Sequence, residues 1–230
     1  MPTEKEVYQA YADQYERLIL SEDYQGNIPK EISKIRDPKG LDIVELGAGT
    51  GRLTRDLVKE AKHVFASDAS LHMLAKASKI LANQGAENLM ISVSDMRRSP
   101  YPSASADMVI AGWSFCYLAV WGGDQWQHEV DLGIDEAMRL LKLGGTIILI
   151  ESFGTGAENP KPPPHLDNYL AYLTEKGFQS DWFRTDYRFS SVKEADEISS
   201  FFFGPDMSKK IRQNQWTILP ECTAIFWLQK

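Results

Sequence analysis

The stretch LDIVELGAGTGRL, residues 41–53, decides the fold of this chain. Its apolar first half, Leu41–Leu46, predicts a short β-strand, and residues 53–61 predict a helix. The loop between them carries the glycines Gly47, Gly49 and Gly51. Glycines between a strand and a helix allow a tight turn and let a ligand approach the backbone closely. An ordinary tight turn without a ligand is the alternative interpretation.

The glycine spacing argues against a phosphate ligand. A dinucleotide-binding loop follows the pattern G-x-G-x-x-G, and here the position of its third glycine is occupied by Arg52. A phosphate-binding Walker loop needs a Gly-Lys-Ser/Thr ending, which this loop lacks. A nucleotide-dependent dehydrogenase is therefore a less favoured rival.

The segments that follow predict a doubly wound α/β fold with a mostly parallel sheet and helices on both of its faces. Further strands are expected at His63–Ala66, Leu89–Val93, Met108–Gly112 and Thr146–Ile150. Between them, helices are expected at Ser70–Ala82 and Asp124–Leu141. Ser70 should cap its helix, which should turn Leu71, Leu74 and Ala75 inward. Gly144 and Gly145 are expected to form a turn.

The two ends of the chain differ from this alternating core. Residues 7–20 predict a helix that places Tyr8, Tyr11, Tyr15 and Leu18 on one face, and 28–35 predict a shorter one. After a Gly- and Pro-rich loop at 154–164, a helix is expected over 166–176. Two long antiparallel strands, 179–189 and 223–228, should flank a helical stretch from 192 to about 213.

We expect a single domain over residues 1–230, because no stretch is long enough to be a linker. Its parts are an N-terminal helical cap (1–36), a ligand-binding core (41–151) and a substrate-side half (152–230).

Composition excludes several classes of protein. With 43% hydrophobic and 25% charged residues, the chain is ordinary globular protein and not disordered. A net charge of −7 argues against non-specific nucleic-acid binding. Two cysteines are too few for a disulfide scaffold, and no His/Cys/Asp cluster has metal-ligand spacing. With neither a secretory leader nor a membrane-spanning stretch in view, we expect a cytoplasmic protein without a metal.

Two carboxylates follow the predicted strands that neighbour the glycine loop. Asp68 ends the second strand, where it could accept hydrogen bonds from a ribose diol or cap the next helix. Asp95 follows the third strand, where it could accept from an exocyclic amine beside Met96 or remain in solvent. The fourth strand ends at Gly112 and Trp113, and ligands of open α/β sheets bind at such carboxyl ends.

Taken in order, these motifs resemble the class I S-adenosylmethionine-dependent methyltransferases over roughly residues 7–230. Residues 45–51 resemble that family's first motif, E/D-x-G-x-G-x-G, and 65–70 resemble its acidic second motif. Residues 94–96 resemble its adenine-binding motif, and 106–111 its fourth. Residues 140–145 resemble its fifth motif, with Leu143 in place of the usual proline. The resemblance implies a Rossmann-like seven-stranded sheet whose last strand is antiparallel.

The resemblance also implies an enzyme that transfers a methyl group from S-adenosyl-L-methionine to a small-molecule acceptor. The glycine loop would hold the methionine portion, Asp68 the ribose, Asp95 and Met96 the adenine, and the Gly112 carbonyl the cofactor amine. The complete set of cofactor-binding residues implied is Tyr15, Glu45, Gly47, Ala48, Gly49, Gly51, Asp68, Ala69, Met73, Asp95, Met96, Gly112 and Trp113.

A general base is needed only if the acceptor must lose a proton. The candidates are Tyr11, Tyr117, Glu151 and His165. Each has a simpler interpretation: the tyrosines as packing residues, Glu151 as a partner of a neighbouring helix, and His165 as a surface side chain after a proline run.

The aromatic residues after the fourth strand could form a substrate wall or an apolar patch beneath a helix. They are Trp113, Phe115, Tyr117, Trp121 and Trp126. A protein that binds S-adenosylmethionine or S-adenosylhomocysteine without transferring the methyl group is the alternative function, since it would show the same motifs.

Overall fold

The computed structural model describes Glu6 and residues 10–230. Its centre is a seven-stranded sheet with the strand order β3-β2-β1-β4-β5-β9-β6. The strands of this sheet are β1 (Asp42–Leu46), β2 (His63–Asp68), β3 (Leu89–Val93), β4 (Ala106–Gly112), β5 (Leu141–Thr155), β6 (Gln179–Arg184) and β9 (Glu221–Gln229). A separate two-stranded sheet pairs β7 (Tyr187–Arg188) with β8 (Ile218–Leu219).

Helices connect most of these strands. They are α1 (Ala12–Ile19), α2 (Asn27–Ile35), α3 (Thr54–Glu60), α4 (Leu71–Asn83), α5 (Cys116–Gly122), α6 (Trp126–Leu140), α7 (Asp167–Glu175) and α8 (Val192–Asn214). The last of them is kinked at Gly204, which precedes Pro205 and has non-helical backbone angles.

The sheet topology confirms the predicted fold class. The strands from β3 to β5 in the sheet order pair in parallel, whereas β9 pairs antiparallel with both β5 and β6. The last strand of the chain is therefore the antiparallel one. The order reverses between β1 and β4, and ligands of such sheets bind in the crevice at this switch point.

Buried side chains cover both faces of the sheet. On one face, strand residues such as Val109 and Ile147 pack with α6 and α7 in a single apolar cluster. On the other, Ile43 and Ile148 pack with α2 and α3. A third cluster lies between α1, α8 and the small β7–β8 sheet. Burial on both faces explains why the parallel strands are apolar without alternation.

The predicted strand over 179–189 is wrong as a single element. The chain breaks at Thr185 and Asp186, between β6 and β7. The Asp186 carboxylate accepts hydrogen bonds from Arg184 Nε at 2.7 Å and from the Glu221 amide at 2.9 Å. Because Asp186 binds a backbone amide with its side chain, the ladder ends there and β7 pairs in the other sheet.

The inward face predicted for α4 is wrong in part. Ser70 caps the helix as expected, since its hydroxyl accepts a hydrogen bond from the Met73 amide. Leu74 is buried, but Leu71 and Ala75 are exposed. The buried stripe consists of Met73, Leu74, Ala77 and Leu81.

Other predicted elements keep their type with changed boundaries. The fifth strand runs from Leu141 to Thr155 and includes the predicted turn at Gly144 and Gly145, where its register with β4 shifts. The N-terminal helix is described from Ala12 onward, and Tyr8 lies outside the described residues. Among residues 10–230, no helix has the length and apolar character needed to cross a bilayer.

Gly51 should be harder to replace than a glycine with a similar backbone conformation in open space. It has φ +88°, and a Cβ there would lie 3.2 Å from Leu81 Cδ1 of α4. Gly85 has a similar φ of +71° with open space around it. We expect Gly51→Ala to lower the free energy of unfolding by more than Gly85→Ala, which should cost about 1–2 kcal/mol. Urea denaturation measures both; equal losses would show that α4 yields to the added methyl group.

Candidate active site

A cavity of about 990 Å³ opens at the carboxyl ends of β1, β2 and β4. Its lining residues are Tyr15, Glu45, Gly47, Ala48, Gly49, Thr50, Arg52, Leu53, Asp68, Ala69, Ser70, Leu71, His72, Ser94, Asp95, Met96, Arg97, Gly112, Trp113, Ser114, Tyr117, Leu118, Trp121, Gly122, Gln125 and Glu129. This volume is large enough to hold a cofactor and a small second ligand together.

The glycine loop is held against its neighbours by the backbone. The Gly47 and Ala48 amides both donate to the Ser67 carbonyl of β2, at 2.8 and 2.9 Å. Gly47 has φ +73°, and a Cβ on it would overlap the Ser114 side chain. Ser114 in turn donates from Oγ to the Leu46 carbonyl at 3.0 Å. Only glycine fits at this crossing of the first loop and the segment after β4.

Asp68 ties the glycine loop to the start of α4. Its Oδ2 accepts a hydrogen bond from the Gly49 amide at 2.8 Å, and its Oδ1 accepts from the Ser70 amide at 2.7 Å. Burial raises the pKa of this carboxyl, and the two amide hydrogen bonds oppose that rise. The loop amide that would face a phosphate in a dinucleotide site is therefore bound to a carboxylate of the chain itself.

Glu45 lies buried beneath the glycine loop, near the end of β1. Thr54 donates from Oγ1 to Glu45 Oε2 at 2.6 Å. Burial raises the pKa of Glu45 to about 8, with the nearby Asp68 charge as a further cause. Glu45 is thus mainly protonated at neutral pH, and a cation bound beside it would favour its ionised form.

The N-terminal segment is joined to the glycine loop by buried ion pairs. Arg52 Nη2 lies 2.6 Å from Glu22 Oε1, and Arg55 pairs with Glu16 of α1. All four side chains are largely buried. The pairs hold α1 across the cavity, where Tyr15 forms part of the wall.

Trp113 follows β4 in an unusual backbone conformation. Its φ is +51°, in the left-handed region that a bulky residue rarely adopts. Its amide donates to the Ile150 carbonyl at 2.7 Å, and the Arg52 guanidinium lies 3.4 Å from the centre of its ring. Strained backbone of this kind clusters at binding sites, where the surrounding contacts enforce it.

Charged and aromatic side chains close the other side of the cavity. Arg97 pairs with both Asp95 and Glu129, and so links the loop after β3 to α6. The pairing lowers the pKa of Asp95. On α5, the rings of Tyr117 and Trp121 stack with their centres 4.4 Å apart.

The structure brings most of the predicted site residues together. Twelve of them line the cavity: Tyr15, Glu45, Gly47, Ala48, Gly49, Asp68, Ala69, Asp95, Met96, Gly112, Trp113 and Tyr117. Gly51 instead faces α4, and buried Met73 lies under Gly49, 3.8 Å from where a Cβ on that glycine would be.

Three predicted catalytic candidates lie outside the cavity lining. Tyr11 packs edge-on against Phe201 of α8, with ring centres 5.4 Å apart. His165 is exposed in the turn before α7. Glu151 is buried, and its Oε1 accepts from the Tyr169 hydroxyl and the Cys116 amide. The simpler interpretations offered for these residues match their surroundings.

Of the proposed aromatic wall, Phe115 lies in the core, and Trp126 packs against Tyr172.

Several cavity residues were missed from the sequence. Arg52 directly follows the glycine loop, so a cation beside a ligand-binding loop was the available signal. His72 lines the cavity from α4, and nothing in its sequence context indicates this position. Arg97, Gln125 and Glu129 come from the β3 loop and the segment around α6, and no local pattern marks them. Within residues 10–230, no group of three or more acidic, His or Cys side chains is placed to hold a metal ion.

Part of this chain is similar in sequence to a known family of proteins. The sequence model of a family described as a methyltransferase domain matches residues 44–149, which include the glycine loop and the Asp68 and Asp95 motifs. Residues 44–149, slightly less than half of the chain, are thus similar in sequence to a methyltransferase domain.

A curated relative matches part of this chain. Phosphoethanolamine N-methyltransferase 1 of Zea mays is 30% identical over 124 residues, which are 54% of this chain and 23% of that enzyme. The chain thus spans about a quarter of that relative's length.

Two solved structures share the methyltransferase fold. The YcgJ protein of Bacillus subtilis superposes with a TM-score of 0.61 at 15% identity, over 87% of this chain and 97% of that one. Phosphoethanolamine N-methyltransferase 1 of Haemonchus contortus, in complex with phosphoethanolamine and S-adenosylhomocysteine, has a TM-score of 0.54 at 18% identity. The match covers 96% of this chain and 48% of that one.

The buried ion pair between Glu22 and Arg52 should matter for stability, and the exposed pair between α1 and α4 should not. Glu22→Ala leaves Arg52 without its carboxylate partner, so we expect a loss of about 3 kcal/mol in the free energy of unfolding. Asp13 pairs with Lys76 in solvent, and Asp13→Ala should leave stability unchanged. Urea denaturation of the two variants makes the comparison. A Glu22→Ala denaturation curve that superposes on the wild-type curve would contradict a stabilising role for the Glu22–Arg52 ion pair.

Proposed function

We propose that this protein transfers a methyl group from S-adenosyl-L-methionine to a small-molecule acceptor. The bound cofactor supplies a methyl group made electrophilic by a sulfonium, open to in-line attack by the acceptor. The chain's own residues bind both molecules, orient them and exclude water. The observation that carries the proposal is the glycine loop joined through Gly49 to the carboxylate of Asp68.

The charges around the cavity favour a cationic ligand over a diphosphate. Of the guanidinium groups in the lining, Arg52 is paired with Glu22, and Arg97 with Asp95 and Glu129. Asp68 and Glu45 form no ion pair with the residues that the structure describes. S-adenosylmethionine brings an ammonium and a sulfonium to such a site, whereas the Asp68 carboxylate would repel the pyrophosphate of NAD.

The positions of the predicted residues support a role for each in cofactor binding. Gly47, Ala48 and Gly49 form the cradle, into which the side chain of Asp68 points from the end of β2. Asp68 accepts two amide hydrogen bonds and has further lone pairs for the ribose hydroxyls. Asp95 shares its carboxylate with Arg97, so it would serve the adenine amine through a remaining lone pair.

Two further predicted cofactor-binding residues, Gly112 and Tyr15, lie in the walls of the cavity. Gly112 lines it at the end of β4, and a Cβ there would lie 2.7 Å from Leu53, so the wall is tight. Tyr15 lines it from α1, where burial raises the pKa of its hydroxyl to about 12. A phenol with such a pKa stays protonated at neutral pH and can donate a hydrogen bond but not accept a proton as a base.

Tyr117 is the one predicted catalytic candidate in the cavity lining that the structure describes. Tyr11, Glu151 and His165 would need a rearrangement to reach a ligand there. An acceptor with a free lone pair at neutral pH requires no base, so the proposal does not depend on one.

The acceptor is proposed to be a small molecule, not a nucleic acid, in keeping with the net charge of −7. Phosphoethanolamine, which occurs in the name of the maize relative, is the first acceptor to assay. Cytoplasmic location and the absence of a metal stay predictions.

Asp68→Ala tests the cofactor site. Because charged hydrogen bonds to the ribose would be lost, we expect affinity for S-adenosylhomocysteine to fall by about 1.5–3 kcal/mol in calorimetry. Asp56→Ala changes an exposed carboxylate of the neighbouring α3 and should leave affinity unchanged. Wild-type affinity in the Asp68→Ala variant would place the ribose elsewhere.

Glu45 makes cofactor binding depend on pH. Its pKa of about 8 means that it carries a proton at pH 7, which a bound ammonium would displace. Affinity for S-adenosylmethionine should therefore rise as pH increases from 6 to about 8 and then level off. Calorimetry in two buffers of different ionisation enthalpy should detect proton release at pH 7. Glu45→Gln should abolish that release; persistence of it would assign the proton to another group.

Methyl transfer is tested by incubating the protein with S-adenosylmethionine labelled in its methyl group and with candidate acceptors. Label in an acceptor, with S-adenosylhomocysteine formed in equal amount, would support the proposal. Tight cofactor binding without transfer to any amine, phenol or thiol offered would favour the alternative, a binding protein without transferase activity.

A further inference from the structure

A buried carboxylate behind the cavity wall holds the helix that forms part of that wall. Glu151 lies on β5 with 0% of its surface exposed. Its Oε1 accepts hydrogen bonds from the Cys116 amide at 3.0 Å and from the Tyr169 hydroxyl at 2.8 Å. Cys116 is the first residue of α5, and Tyr169 belongs to α7.

The sequence of α5 provides no cap of its own. The residue before the helix is Phe115, whose side chain has no hydrogen-bonding group. The Tyr117 and Leu118 amides donate to the Ser114 and Phe115 carbonyls at 3.2 and 3.1 Å, but the Cys116 amide donates to Glu151. Glu151 thus takes the place of an N-cap side chain from another strand, at the helix end that favours negative charge.

The cap at the start of α5 matters because this helix forms part of the cavity wall. Tyr117, Leu118, Trp121 and Gly122 all line the cavity, so the seven-residue helix supplies four wall positions. A helix of this length is not stable by itself. Its position therefore depends on tertiary contacts, and Glu151 provides one of them, a hydrogen bond at its first residue.

We propose that Glu151 is a positioning residue, which sets the place of the α5 wall in the cavity through its hydrogen bond to the Cys116 amide. This inference rests on the proposed function for its consequence, since the wall is taken to face the cofactor and acceptor. It replaces the role of proton acceptor predicted for Glu151 from the sequence.

Burial also gives the interaction a spectroscopic signature. Desolvation raises the pKa of Glu151 to about 7, while the hydrogen bonds from Tyr169 and Cys116 oppose the rise. The groups that face the carboxyl are the Tyr169 hydroxyl and the Cys116 thiol and amide. In the wild-type protein, the Cys116 amide proton shift should titrate near pH 7. This titration should be absent in Glu151→Gln, and its persistence there would overturn its assignment to Glu151.

Hydrogen exchange of the cofactor-free protein tests the positioning directly. Glu151→Met keeps the length of the side chain and removes the acceptor, so residues 116–122 should exchange about tenfold faster than in wild type. Glu151→Gln keeps an acceptor oxygen and should stay within about twofold. The matched control is Tyr169→Phe, which removes the other hydrogen bond to Glu151 and should leave α5 protected. Wild-type exchange in Glu151→Met would overturn the proposal, and so would equal loss of protection in Tyr169→Phe.

Cofactor affinity separates this proposal from the proposed function. Glu151→Met should raise the Kd for S-adenosylhomocysteine several-fold, and Glu151→Gln should restore it. If the wild-type protein binds no S-adenosylhomocysteine, the proposed function fails, while the exchange of residues 116–122 still decides the role of Glu151. Fast exchange in Glu151→Met with an unchanged Kd would show that α5 does not contribute to the cofactor site.

Discussion

The carboxylate of Asp68 accepts one hydrogen bond from the glycine loop after β1 and another from the first turn after β2. These two bonds hold neighbouring parallel strands in a fixed relation at their carboxyl ends. They also leave the carboxyl group at the surface of the cavity. The loop can sit this close only because Gly47 and Gly49 have positive φ angles, and Gly47 touches the segment after β4. The shape of the ligand site follows from this one junction.

Around the junction, buried charge is arranged to favour a cation in the cavity. Arg52 is held by Glu22, while burial raises the pKa values of Glu45, Glu22 and Glu221. Glu45, which has no guanidinium partner among the described residues, would ionise more readily beside a bound cation. The same ion pairs hold the N-terminal helix against the glycine loop. Stability and ligand preference therefore depend on the same side chains, and a change at Glu22 or Arg52 would alter both.

Local patterns were sufficient to predict the sheet and much of the cavity. Gly47, Asp68 and Asp95 follow strands at fixed spacing, and parallel strands bring such positions to one edge. Long-range contacts were not visible in the same way. The pairing of Arg97 with Glu129, the capping of α5 by Glu151 and the break at Asp186 each join residues more than 30 positions apart. Leu71 was predicted to face the core, but it is exposed and lines the cavity. An apolar side chain fits either position, so the sequence pattern does not distinguish them.

The central claim is that the glycine loop and Asp68 form a site for S-adenosylmethionine. Calorimetry of the wild-type protein with S-adenosylmethionine, S-adenosylhomocysteine and NAD tests it most directly. We expect micromolar binding of the first two and no binding of NAD. Tight binding of NAD without affinity for S-adenosylmethionine or S-adenosylhomocysteine would contradict it.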